Sequence, residues 1–127
     1  MEFKDNKAIY LQIADYVCEQ ILLEKWIEEG KVPSVRELAI SLEVNPNTIM
    51  RTYELLQNKN IIQNRRGIGY FIDEDAAKNV ICFRKENFLS DDLPAFFRNM
   101  YLLNISFSEL EEKYKVYLTE NFNQPSN

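Results

Sequence analysis

The order of local signals between Pro33 and Ile72 constrains this chain more than any other feature. Three stretches carry them: Pro33-Ser34-Val35-Arg36-Glu37-Leu38-Ala39, then Val44-Asn45-Pro46-Asn47-Thr48, then Arg65-Arg66-Gly67-Ile68-Gly69-Tyr70-Phe71. Ser34 with Glu37 three residues later is a capping box, in which the hydroxyl accepts an early amide and the carboxylate reaches back. A helix starts there and is expected to run to about Leu42. Glu43 and Val44 make a turn, Asn45 is a good N-cap, and Pro46 follows at the first helical position, where its missing N–H costs nothing. The next helix covers roughly Pro46 to Asn58, and Asn60 stands just past its end, where a left-handed residue is wanted. Ile61 and Ile62 lead into polar and basic residues, two glycines spaced by one, and Tyr70, Phe71 and Ile72. That pattern predicts a two-stranded hairpin with its tip near Arg66 and Gly67. Helix, tight turn, helix and glycine-tipped hairpin follow at the spacing of a winged helix-turn-helix.

The flanks are helical in period. From Ala8 to about Trp26, Ile9, Ile13, Val17 and Ile21 recur every four residues, and Tyr10, Ala14 and Leu22 widen the stripe. Glu28, Glu29, Gly30 and Lys31 are expected to break this first helix. Beyond Asp73 the residues Val80, Phe83, Phe88, Leu93, Phe96, Phe97, Met100 and Leu103 return to helix period. Pro94 should kink a continuous helix there, with a fresh start at Ser90, Asp91 and Asp92 as the alternative. Asn104 can end that helix. Ser106 with Glu109 repeats the capping-box signature ahead of a last stripe of Phe107, Leu110, Tyr114, Tyr117 and Leu118, and the tail from Asn123 to Asn127 is expected to fray. The predicted class is mainly α: a winged helix-turn-helix of three helices and a two-stranded wing over residues 1–73, then a two-helix extension over 74–127.

Composition narrows the function. With 127 residues and 46% hydrophobic content the chain can bury one core with a modest appendage. Its apolar runs fall well short of the ~20 residues that span a bilayer, and its acidic start does not resemble a signal peptide, so a cytoplasmic location without a membrane partner is expected. Cys18 and Cys82 lie far apart in no metal-type spacing and read as two small buried thiols, with a disulfide or redox sensor as the alternative. The chain has no histidine, which removes the commonest general base and metal ligand and argues against an enzyme. No cofactor or metal is implied. The net charge of −5 is unevenly spread. Between Lys31 and Ile72, six basic residues face three acidic ones, leaving a local +3 and −8 for the remainder, as expected if one face meets phosphate.

A major groove admits one α-helix, and a helix-turn-helix sets the N-terminal residues of its second helix against the base edges. Here those residues are polar and small. Asn47 can pair with adenine, Thr48 can bond phosphate or touch a thymine methyl, and Asn45 with the exposed first-turn amides forms a phosphate site, although Asn45 also caps. Arg51 lies one turn on, and Arg36 falls where the preceding helix, opened by Ser34, would cross the DNA backbone. Gly67 lets the hairpin tip enter a minor groove, to whose negative potential Arg65 or Arg66 is drawn. Met50 and Tyr53 read as packing or lining residues. Base-stacking aromatics do not interleave the basic segment, which favours duplex DNA over RNA.

These residues resemble the DNA-binding domain of the GntR transcriptional regulators: the PS-x-R-ELA helix, the N-x-NT turn and the G-x-G-x-F-type wing over Val32 to Ile72. Asn45-Pro46-Asn47-Thr48 followed by Arg51 and Tyr53, with Ile9-Tyr10-x-Gln12-Ile13-Ala14-Asp15 at the front, is similar to the small YtrA-like branch. The resemblance implies a homodimer whose C-terminal helices pair the subunits, each winged helix taking half of a palindromic operator. It also implies a repressor, often of a neighbouring ABC-transporter operon, and assigns DNA contacts to Arg36, Asn47, Thr48, Arg51 and Gly67. Pro46 and Met50 stand where many members of the wider family have a basic residue, and Asn60 and Asn104 stand where glycine is usual. Too few residues follow Asp73 for the effector domain of larger relatives, so no enclosed small-molecule site is expected within one subunit, and any effector is unassigned.

Dimerisation has a separate argument. Phe83, Phe88, Phe96, Phe97, Met100, Phe107, Tyr114, Tyr117 and Leu118 form an apolar stripe too large for two helices with no element after them, and symmetric association would cover what the first helix does not. A competing reading is a winged-helix protein-interaction module without sequence-specific DNA binding, which the overall acidity would suit. A carboxylate enzyme built on Glu111 and Glu112 founders because adjacent helical residues point apart.

Overall fold

The computed structural model describes residues 1–4, 6–26 and 30–122. Its elements are α1 (Ile9–Leu22), α2 (Val35–Leu42), α3 (Pro46–Asn58), β1 (Ile62–Arg65), β2 (Gly69–Ile72), α4 (Ala76–Asn87), a π-helical turn (Phe88–Asp92), α5 (Leu93–Leu102) and α6 (Phe107–Phe122). Glu28, Glu29 and the Asn123–Asn127 tail lie outside the described residues. None of the described helices is long and apolar enough to cross a membrane.

The caps read from the sequence set the bounds of α2 and α3. Ser34 Oγ accepts the Glu37 N–H at 3.1 Å while Glu37 Oε1 accepts the Ser34 N–H at 2.9 Å, closing the box in both directions. Asn45 Oδ1 accepts the Asn47 N–H at 2.8 Å, with Pro46 opening α3. Four of the helices close on a left-handed residue that is not glycine: Glu24, Glu43, Asn60 and Asn104. At each, an amide bonds back five residues: Lys25 to Gln20, Val44 to Ala39, Ile61 to Leu56 and Ile105 to Met100. Each closure of this kind satisfies carbonyls that the helix end would otherwise orphan.

The first compact unit, Met1–Glu86, is built around α3. Ile13, Ala14, Val17 and Cys18 from α1 meet Ile49, Tyr53 and Leu56 from α3, and all seven are fully buried. Leu38, Ala39 and Leu42 add the inner face of α2, and Ala76, Val80 and Phe83 add that of α4. Two hydrogen bonds tie α3 to its neighbours through otherwise costly buried groups: Thr52 Oγ1 donates to the Tyr10 carbonyl at 2.8 Å, and the Tyr53 hydroxyl donates to the Pro33 carbonyl at 2.6 Å. β1 and β2 pair antiparallel in the register Ile62 to Ile72 and Arg65 to Gly69. A single bridge from Lys31 to Phe71, and the Val32 N–H to the Tyr70 carbonyl at 2.9 Å, dock the chain before α2 onto the free side of β2.

Three details depart from the sequence reading. The first helix stops at Leu22 rather than near Trp26, because Glu24 turns left-handed with φ 56° and Trp26 reaches the core from the turn instead. Cys82 is exposed, since the buried face of α4 runs Ala76, Val80, Phe83 and leaves position 82 outside. Cys18 alone is buried, and desolvation, helped by the Asp15 carboxylate, pushes its thiol up to about 12. Finally, Pro94 sits in the first turn of α5 directly after the π-helical turn. Asn87, Asp92 and Leu93 all keep right-handed helical dihedrals, so the backbone stays helical, and the wider turn accommodates the ring that would clash four residues back.

The second unit, Asn87–Asn127, contains the π-helical turn, α5 and α6. Asn104 at φ 55° ends α5 as the sequence suggests, and Ser106 Oγ accepts the Glu109 N–H at 3.1 Å to start α6. No residue of α6 is buried, although its sequence supplies Phe107, Leu110, Tyr114, Val116, Tyr117 and Phe122.

Candidate nucleic-acid interface

α3 divides cleanly into two faces. Ile49, Thr52, Tyr53 and Leu56 point into the core, and Asn47, Met50, Arg51, Glu54 and Asn58 are exposed at helical spacing. The same division presents Asn47 and Arg51 one turn apart on the outer face. Thr48 is half-buried beside them, and its carbonyl accepts a hydrogen bond from the Thr52 hydroxyl at 3.2 Å. Tyr53 packs as expected, with burial pushing its hydroxyl well above the ordinary phenol range. Of the two roles expected for Met50, packing is excluded and lining is left: it is 49% exposed, because position 50 falls on the outward side of the helix with Asn47 and Arg51. Glu54, one of the three acidic residues in the local charge balance, shares that face. Its place on the outer face follows only from knowing which side of α3 meets α1.

The phosphate site expected from the first-turn amides of α3 is largely filled by the protein itself. The Asn47 N–H bonds Asn45 Oδ1, and the Thr48 N–H bonds the Asn45 carbonyl at 2.9 Å. What remains for a phosphate is the Asn45 side-chain NH2, which the cap does not use, and the Thr48 hydroxyl.

Arg51 lies over an aromatic ring. Its guanidinium carbon lies 3.8 Å from the centre of the Tyr10 ring. Arg65 is arranged similarly on the wing, 4.1 Å from the centre of the Phe71 ring. Stacking of this kind engages the flat face of a guanidinium and leaves its N–H edge for a phosphate or a base. Arg66 and Gly67 are exposed at the tip of the wing, where the Arg65 carbonyl accepts the Ile68 N–H at 2.9 Å and Gly67 takes φ 79°. Gly69 takes φ 135°, and Lys31 lies beside it: a β-carbon there would stand in ordinary contact with Lys31 Cε, at 3.4 Å. Lys31 therefore joins the wing from a distant point in sequence, a cation that the linear pattern did not assign to this surface.

Arg36 is exposed on α2, two residues beyond the Ser34 cap. Glu37 in that box has its carboxyl held below the usual glutamate range, chiefly by the Ser34 amide, with the Ser34 hydroxyl and the charge of Lys31 adding to it. A lowered folded pKa contributes stability above the ordinary value of 4.5 and loses it as pH falls through the folded value. The stability difference between this chain and a Glu37→Gln variant, measured by urea unfolding, is therefore expected to be full at neutral pH and to shrink below pH 4.5. A difference that stays constant across that range would show that the carboxylate's charge contributes nothing to the box.

A helix-turn-helix with a polar, exposed second helix and a cationic, glycine-tipped hairpin defines a winged-helix DNA-binding protein. The sequence profile of the bacterial regulatory proteins of the gntR family matches residues 9–72, and the chain belongs to this family of transcriptional regulators. It is 37% identical over 116 residues to the HTH-type transcriptional regulator YhcF of Bacillus subtilis, covering 91% of this chain and 94% of YhcF. It is 30% identical over 109 residues to the HTH-type transcriptional repressor YtrA of the same organism, covering 86% and 83%. The crystal structure of a GntR-family transcriptional regulator from Bacteroides thetaiotaomicron superposes with a TM-score of 0.75 at 47% identity, covering 89% of this chain and 98% of that one.

Proposed function

We propose that this chain is a cytoplasmic transcriptional repressor that binds a palindromic operator as a homodimer and carries out no catalysis. α3 lies in the major groove, with Asn47, Thr48 and Arg51 against bases or phosphates. Arg65, Arg66 and Gly67 of the wing enter the adjacent minor groove, while Ser34, Arg36 and Asn45 hold the backbone. Support for repression comes from the similarity to YtrA, which is described as a repressor.

The observation that carries the dimer is the unburied α6. A 16-residue helix with seven aromatic or aliphatic residues and no fully buried position leaves most of its apolar surface uncovered by its own chain, and helices in proteins owe most of their stability to tertiary packing. Phe107 is 75% exposed and Tyr114 60%, and they line an open groove of about 510 Å³ with Phe96, Leu110 and Glu111. Phe88 and Phe97 are exposed on the π-helical turn and α5. Met100, at 8%, is already buried in the single chain and falls outside that exposed set. A second copy applied by two-fold symmetry covers this face and places two reading helices on one duplex.

Sedimentation velocity tests the assembly. The chain is expected to run as a dimer, and a Phe107→Glu/Tyr114→Glu variant as a monomer whose operator affinity falls by about a hundredfold through lost avidity. A wild-type monomer with undiminished operator binding would overturn this reading.

A further inference from the structure

The run Ile9-Tyr10-Leu11-Gln12-Ile13-Ala14-Asp15 stands out in the sequence, yet the DNA-binding reading leaves it unused. Most of it has a plain packing role. Ile13 and Ala14 are core, and Gln12 secures the segment ahead of α1, accepting the Lys4 N–H at 2.8 Å and donating to the Lys4 and Lys7 carbonyls at 2.7 Å each. Asp15 pairs with Lys7. Tyr10 differs, because its ring is only partly buried and its visible contact is the Arg51 guanidinium.

We infer that Tyr10 is a positioning residue for DNA recognition: its ring is the platform on which Arg51 is aligned before the groove is met. Two contacts from one residue make the platform rigid. The Tyr10 carbonyl accepts the hydroxyl of Thr52, the neighbour of Arg51 on α3, at 2.8 Å, so the ring is fixed relative to the helix it serves. The guanidinium carbon lies over the ring, 3.8 Å from its centre, and an arginine stacked on an aromatic face keeps its N–H edge for a base or phosphate. An unsupported arginine would have to give up its rotamer freedom on binding, and stacking beforehand reduces that loss. The inference rests on the assignment of Arg51 as a DNA contact.

The test is a double-mutant cycle read by binding to a duplex that the wild-type protein selects from random DNA, with melting temperature followed in parallel. Tyr10→Leu keeps apolar bulk but removes the π-face, and is expected to weaken binding about threefold to tenfold, with Tyr10→Phe close to wild type. In an Arg51→Ala background, Tyr10→Leu is expected to add nothing. If Arg51→Ala leaves binding unchanged, the assignment of Arg51 fails, independently of Tyr10. If Arg51→Ala weakens binding while Tyr10→Leu does not, or weakens it equally in both backgrounds, the platform role is wrong. Tighter binding by Tyr10→Leu would also overturn it, by showing that the ring sequesters the arginine. Should Tyr10→Leu fail to fold, Tyr10→Phe is compared in Arg51 and Arg51→Lys backgrounds with Tyr10→Trp. A larger ring is then expected to strengthen binding with arginine only, and equal responses in the two backgrounds would contradict the platform.

Discussion

Replacing Arg51 with alanine is expected to weaken operator binding by about 1 to 3 kcal/mol, a loss of roughly fivefold to more than a hundredfold. The size follows from its place. Arg51 is exposed on the outer face of α3, one turn from Asn47 and fixed against Tyr10, so a base or phosphate meets an already ordered donor edge. The two kinds of contact leave different traces. A lost base contact relaxes preference at one operator position, whereas a lost phosphate contact weakens all sequences alike and lowers the salt slope by about 1. Lys25→Ala, which removes an exposed charge in the turn after α1, at the end of that helix opposite Tyr10, is expected to leave the affinity unchanged. Equal binding by the Arg51→Ala variant and the wild type would remove α3 from the groove.

Tyr53→Ala is expected to destabilise the winged helix by about 3 to 5 kcal/mol, in urea or thermal unfolding. Domains of this kind commonly hold only about 5 to 15 kcal/mol in total, so the variant is left marginal. Tyr53 is a fully buried side chain at the centre of the unit, edge-on to Tyr70 of β2 with ring centres 4.8 Å apart. It therefore joins α3 to the wing, and its hydroxyl joins α3 to Pro33 at the start of α2. Tyr53→Phe separates these contributions. It keeps the ring and loses one hydrogen bond, leaving the Pro33 carbonyl without that donor, at a cost of about 1 kcal/mol. If phenylalanine costs as much as alanine, the hydroxyl rather than the packed ring holds these elements together.

The two helices and the hairpin between Ser34 and Ile72 were legible in the sequence because their boundaries are set locally. Ser34 with Glu37, Asn45 with Pro46, and Gly67 act within three residues, and each falls where expected. The end of α1 was not legible, because its closing residue is Glu24, whose left-handed turn has no glycine to announce it, while Leu22 and Trp26 continue the apolar stripe. The π-helical turn escaped for a similar reason: Pro94 signals a disturbance without saying whether the helix stops or widens. At the candidate site, Asn47 and Arg51 could be read from their position in α3. The placing of Tyr10 under Arg51, of Lys31 beside the wing, and of Met50 and Glu54 on the outer face depends on how distant segments meet. Periodicity shows that a helix has a buried side but leaves open which neighbour covers each end of it.

The most direct test of a two-fold DNA reader is selection of its binding sites from random duplexes, followed by chemical footprinting of the enriched sequence. An inverted repeat is expected, with two major-groove patches protected about one helical turn apart or a multiple of it, and cleavage reduced in the flanking minor grooves where the wings lie. Enrichment of no sequence, or protection of a single patch without a symmetric mate, would contradict it.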